Sequence, residues 1–211
     1  MTSRATGILL FLPVPIVLWL FTRAPLGVPV SLGLGVVLMV THRLYARPFA
    51  LRHAQERCLW CGGGPGDGPQ IEVRDPLGVV TWRACTPAHR DLVARLVTWA
   101  DAHARALKVG ILGTLALFLP MSLLADRGRL GPATYADAVA IFRLAIAASV
   151  LTLALRFRDA LPAAVDRLRS PFPLHIQALI GSAAVLWLFR LVGVAWLLLV
   201  ALHAAHRAGL A

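Results

Sequence analysis

Long uncharged runs constrain this chain more than any other feature. Gly7 to Phe21, Val30 to Thr41, Val109 to Ala125, Ala138 to Leu155 and Ala178 to Leu202 are apolar almost throughout. Only Arg143 and Arg190 interrupt them, one in each of the last two. A soluble domain of 211 residues carries more than 15% charged side chains, and spreads its apolar residues at helix or strand spacing rather than in blocks. The runs therefore predict about five transmembrane helices in an all-α polytopic membrane protein. The first two are short for a core of about 30 Å and fit best as a tilted hairpin, with Pro25, Gly27 and Pro29 in its turn. A cleaved signal peptide is the weaker reading of the first run. No A-x-A site follows it, and a second run arrives almost at once.

The formal net charge is +11, and all but one of the basic residues are arginine, Lys108 being the exception. With the N-terminus inside, fifteen basic residues fall on inner segments and four on outer ones. This bias predicts a multi-pass protein of the cytoplasmic (inner) membrane, with the N-terminus and the stretch 51–108 in the cytosol and the C-terminus outside. Arginine and alanine richness points to a GC-rich bacterial genome. The predicted organisation is an N-terminal transmembrane hairpin at 1–50, a cytosolic module at 51–108, and a three-helix transmembrane region at 109–211. Within the last, 159–169 reads as an amphipathic surface helix through Leu161, Val165 and Leu168.

The module holds all three cysteines of the chain: Cys58-Leu-Trp-Cys61-Gly62, then Cys85-Thr-Pro-Ala-His89. A CxxC lets two thiolates reach one ion, and Gly62 allows the positive φ that such a turn needs. Ile71 to Arg74 and Val79 to Ala84 read as a β-hairpin about a turn at Asp75 to Gly78. Pro87 suits the first turn of a helix, and an i, i+4 spacing puts Cys85 and His89 on one side. The predicted metal ligands are Cys58, Cys61, Cys85 and His89, and the predicted ion is Zn2+. His53 is an alternative fourth ligand. A redox dithiol at Cys58 and Cys61 is an alternative to a metal, though no βαβ pattern surrounds it.

Knuckle, hairpin and a helix giving the last two ligands resemble the treble-clef (zinc-ribbon-like) class of zinc fingers over residues 56–95. The glycine-rich insert after Cys61 departs from that pattern. The resemblance implies a small β-hairpin-plus-helix zinc module and the same four ligands. It does not imply a function, because treble-clef modules serve nucleic-acid binding, protein interaction and nuclease chemistry alike. Four protein ligands close the coordination sphere, which makes the site structural rather than catalytic.

From His89 onward, Leu92, Leu96, Trp99, His103 and Leu107 recur at helical spacing. No proline intervenes before Pro120, so one unbroken helix is expected to carry the module into the third run. Thr134, with Asp137 three residues on, is expected to cap the next helix. Arg143 and Arg190 are each expected about 9 Å below the outer face, where two guanidinium groups at one level would suit an anion or lipid head group. Snorkelling, or bonding to a helix carbonyl or to Asp137, is the competing role.

No HExxH, P-loop, GxGxxG or GxSxG is present. Gly181-Ser182 faintly suggests an intramembrane serine nucleophile, but His175 and His203 lie at the far ends of its helix. The reading therefore leans away from an enzyme. The leading function is a membrane protein whose cytosolic zinc finger serves protein interaction, assembly or signal relay, with the lipid bilayer and a protein partner or complex as its contacts. The first alternative is a membrane enzyme or transporter handling an anionic or lipid-linked substrate at Arg143 and Arg190. The second is a metal or nucleic-acid sensor. Nucleic-acid binding is disfavoured by Glu56, Asp67, Glu72, Asp75, Asp91 and Asp101 within the module, while contact with anionic lipid fits the basic stretch from Arg43 to Arg57.

Overall fold

The computed structural model describes residues 28–53, 55–64, 68–76, 78–161 and 167–210. The first apolar run lies outside them. The chain is mostly helical. Helix α1 spans Val28–Thr41, a π-helical turn follows at His42–Ala46, and α2 spans Arg47–His53. Strands β1 (Gln70–Asp75) and β2 (Gly78–Arg83) pair antiparallel with Ile71 opposite Trp82 and Val73 opposite Val80. This is the hairpin that the alternation Ile71, Val73 predicts, with both side chains buried. Helix α3 (Pro87–Ala102) follows. Its N-cap is Thr86, whose Oγ1 accepts from His89 N at 3.2 Å, and Pro87 stands in the first turn as expected.

The helix does not run unbroken into the next apolar run. It ends at His103 (φ −106°, ψ 15°), restarts as α4 (Ala104–Lys108), passes through a π-helical turn at Val109–Gly113, and continues as α5 (Thr114–Asp126). At the break the His103 ring stacks on Trp99 with centroids 4.0 Å apart, and its Nδ1 lies 2.9 Å from the Trp99 carbonyl. That side-chain bond competes with the backbone ladder. The wider turn falls where Gly110 and Gly113 weaken the helix.

Helix α6 spans Pro132–Arg156 and ends in a 3-10 turn, Phe157–Asp159. Gly131 occupies the N-cap, so Thr134 is already inside the helix and does not cap it. Arg167–Arg169 is a strand, β3, parallel to β1, giving the sheet order β2-β1-β3. The amphipathic helix expected over 159–169 is therefore corrected at both described ends. Leu168 is buried by pairing opposite Val73 rather than by lying on a lipid surface. Helix α7 (His175–Ile180) and helix α8 (Ser182–Arg207) complete the chain, separated at Gly181 (φ 90°).

Among the described residues, three helical stretches are long and apolar enough to cross a membrane: Ala104–Asp126, Pro132–Asp159 and Ser182–Arg207. Five are not seen among the described residues, since α1 has only 14 residues. Outward faces of the three carry exposed Leu117, Ile141, Leu155, Trp187, Leu191, Leu198 and Leu202. One buried cluster gathers Leu59, Val73, Trp82, Val93 and Val97 with Ala154, Phe157, Leu179 and Leu186. The sheet and α3 thus share a core with the neighbouring ends of α6, α7 and α8. A second cluster, Phe118, Val139, Phe142, Ala147 and Trp196, packs α5, α6 and α8 together further along.

Candidate metal centre

Cys58, Cys61, Cys85 and His89 come together. Their ligand atoms, three Sγ and one imidazole nitrogen, all lie within 4.8 Å of one another. Cys58 Sγ is 3.6 Å from His89 Nδ1, Cys61 Sγ is 3.7 Å from Cys85 Sγ, and Cys85 Sγ is 2.9 Å from His89 Nδ1. Zn–S bonds of about 2.3 Å and Zn–N bonds of about 2.1 Å give tetrahedral edges of roughly 3.8 Å between sulfurs and 3.6 Å between sulfur and nitrogen. Two of the three separations match those edges, and the third lengthens by about 0.7 Å to fit. The donor set of three thiols and one imidazole suits zinc or another thiophilic ion.

Each ligand is positioned by backbone. In the knuckle, Gly62 N donates to Cys58 O (2.8 Å) and Cys58 N to Gly63 O (3.1 Å), with Gly62 at φ 67°. The knuckle is tied to the end of β2 by Leu59 N donating to Arg83 O at 3.0 Å. Cys85 follows β2 by two residues. His89 is placed by the Thr86 cap, which starts α3 so that one turn returns the ring to Cys85. Cys58 is buried, whereas Cys61, Cys85 and His89 are half-buried.

The thiols differ electrostatically. Burial acts to raise Cys58. The backbone N–H groups of Cys61 and Cys85, then the His89 ring and the Trp60 N–H, outweigh it and lower the thiol from 9.0 to about 6. Cys85 is pushed up to about 11 by burial, then by hydrogen bonds and charge from Cys58 and Cys61. Three thiols within one small sphere compete for ionisation, and a cation at the centre relieves that competition.

His53 is elsewhere. It stacks on Phe49 with its Nδ1 2.9 Å from Phe49 O, and does not join the cluster. Ser182 is not a nucleophile either. It is buried, and its Oγ donates to Leu59 O at 2.9 Å.

The two arginines are not brought together. Arg190 donates from Nη2 (2.8 Å) and Nε (3.3 Å) to the carbonyl of Ala154, in the last turn of α6, and its guanidinium lies 5.6 Å from the Trp187 ring centroid. Helices α6 and α8 are antiparallel, with Asp137 beside His203 (2.8 Å) and Arg207 (3.1 Å) at the other end. Arg143 therefore sits about eleven residues along α6 from the level of Arg190, roughly 16 Å. Equal depth would require the last helix to begin about fourteen residues before Arg190. The break at Gly181 starts α8 at Ser182, leaving Arg190 only about 12 Å from its first residue.

What the sequence concealed is how the cluster is joined to the helices. Leu59 and Trp60, the two residues between Cys58 and Cys61, present their carbonyls to the first N–H groups of α8: Ser182 N to Leu59 O and Ala183 N to Trp60 O, both 2.9 Å. Arg57, just before the knuckle, donates to Leu179 O at 3.0 Å. Arg95 of α3 donates to the carbonyls of Arg158 (3.0 Å) and Ala160 (2.9 Å).

Among the described residues, fold and site together define a mostly helical protein with three helices of membrane-crossing length and a Cys3His cluster beside a small sheet, compatible with a zinc-binding module. No family model, no curated protein and no solved structure matches the chain.

Proposed function

We propose that the chain is an integral membrane protein carrying one structural Zn2+ at Cys58, Cys61, Cys85 and His89, and that the zinc module serves protein interaction, assembly or signal relay. The observation that carries this is the convergence of four donor atoms within 4.8 Å from a knuckle, a strand end and a helix first turn. Those three parts are also what support a treble-clef-like reading of the module. Four protein ligands leave no open position for water, so the ion holds shape rather than performing chemistry. The three apolar helices, with leucines and a tryptophan on their outer faces, support residence in a bilayer, and the distribution of arginines supports a cytosolic module in the cytoplasmic membrane. An anionic substrate held jointly by Arg143 and Arg190 is not favoured, because Arg190 is engaged by Ala154 and the two lie at different levels. Purification in mild detergent followed by metal analysis and identification of co-purifying proteins tests the proposal. It predicts one zinc per chain and a stoichiometric protein partner. A metal-free, fully folded chain contradicts the zinc part, and a chain that purifies alone under every gentle condition contradicts the interaction part.

A further inference from the structure

The first four N–H groups of any helix lack partners within the helix. In α8 all four are accounted for, and no side chain caps them. Gly181 N donates to Gln177 O (2.7 Å) and Ala184 N to Gly181 O (3.1 Å), while Ser182 N and Ala183 N donate to Leu59 O and Trp60 O of the knuckle. The acceptors that complete the helix start are thus the backbone between two metal-site cysteines. Contact there is as close as backbone allows. A Cβ on Gly181 would lie 2.6 Å from Cys61 C and 2.7 Å from Gly62 N, and one on Gly62 would lie 2.8 Å from Ile180 C and O. Two glycines in positive-φ conformations face each other across this contact, Gly62 at 67° and Gly181 at 90°. Arg57 reinforces it by holding Leu179 O at the end of α7.

Resting on the zinc reading above, we propose that the metal site is a lock on the last helix: an ion bound at Cys58, Cys61, Cys85 and His89 fixes the Leu59 and Trp60 carbonyls where they cap α8, and its loss unseats the α7–α8 junction. Without a cation nothing bridges the four donors that come from the knuckle, the end of β2 and the first turn of α3, and the knuckle loses the tie that fixes its shape. The cap then disperses, and the first turn of α8 opens. By thermodynamic linkage the coupling is reciprocal, so damage to the helix side of the contact weakens metal binding by the same factor.

The test uses the full chain in detergent micelles and reads hydrogen–deuterium exchange together with metal content. The zinc-loaded chain protects the amides of Ser182 and Ala183, which at an ordinary helix start exchange freely. Removal of zinc by a chelator, verified by metal analysis, raises exchange across 181–185 at least tenfold and leaves 194–203 unchanged. Unchanged exchange at 181–185 after verified zinc loss overturns the lock while leaving the zinc site standing. A chain that binds no metal overturns both, and the metal analysis distinguishes the two failures. Gly181→Ala and Ser182→Ala leave every ligand in place and probe the reverse direction by competition with a chromophoric chelator, using zinc alone as the probe. Gly181→Ala weakens zinc binding tenfold or more, and Ser182→Ala by a few-fold. Wild-type affinity in both variants contradicts the coupling.

Discussion

His89 presents Nδ1, not Nε2, to the cluster, 2.9 Å from Cys85 Sγ, and it does so because Thr86 caps α3 three residues earlier. Thr86→Ala therefore acts twice: it costs about 1 kcal/mol of helix-cap energy and loosens the ring. A several-fold weaker zinc affinity with no change in stoichiometry is expected, measured by chelator competition; an unchanged affinity contradicts this role of the cap. The thiols predict a proton count. At pH 7.5 Cys58, lowered to about 6, is already ionised, whereas Cys85, raised to about 11, is protonated and must give up its proton to bind the ion. Loading at pH 7.5 thus releases at least one proton per metal, and affinity rises with pH through the neutral range. An affinity that stays flat between about pH 7 and 8.5 contradicts this assignment. The grouping of Cys58, Cys61, Cys85 and His89 is legible in the sequence, because CxxC spacing and an i, i+4 Cys–His pair are local geometry. Leu59, Trp60 and Ser182 are not. They act through backbone atoms or a contact 123 positions away, for which composition and spacing carry no signal.

At the scale of elements, arginines hold helix ends. Arg57 meets Leu179 O at the close of α7, Arg95 meets the two carbonyls that follow α6, and Arg190 meets Ala154 O in its last turn. Positive groups suit carbonyls left without partners at helix C-termini. Arg190→Leu removes a charged donor from Ala154 and is expected to destabilise the α6–α8 pair by about 2 kcal/mol. Unfolding in mixed micelles measures it; a neutral or stabilising result means that the guanidinium is not retained for packing and returns it to a functional role. Periodicity revealed α3 and the β-hairpin correctly, since one face of each is buried against a core. It missed the His103 break, the β3 strand and the Gly181 break. A histidine on an apolar stripe, a three-residue strand and a glycine inside a hydrophobic run each read as the element around them until long-range partners are known.

For the molecule as a whole, sheet and membrane-length helices share one buried cluster, with Trp82 and Phe157 inside it. Trp82→Ala is expected to cost about 3–5 kcal/mol, and to impair the module and the α6–α8 junction together rather than the module alone. Separate unfolding of the two regions contradicts a common core. Apolar runs alone locate the last three helices, where length and composition suffice; tertiary pairing decides the rest. Zinc bound at the cysteine cluster is what we propose organises this shared core. The most direct measurement is zinc stoichiometry and thiol reactivity of the full chain purified in detergent. One zinc per chain is expected, with three thiols shielded from reagent until the ion is chelated, and loss of the metal in Cys61→Ser. Three freely reactive thiols in a folded chain without metal would contradict it.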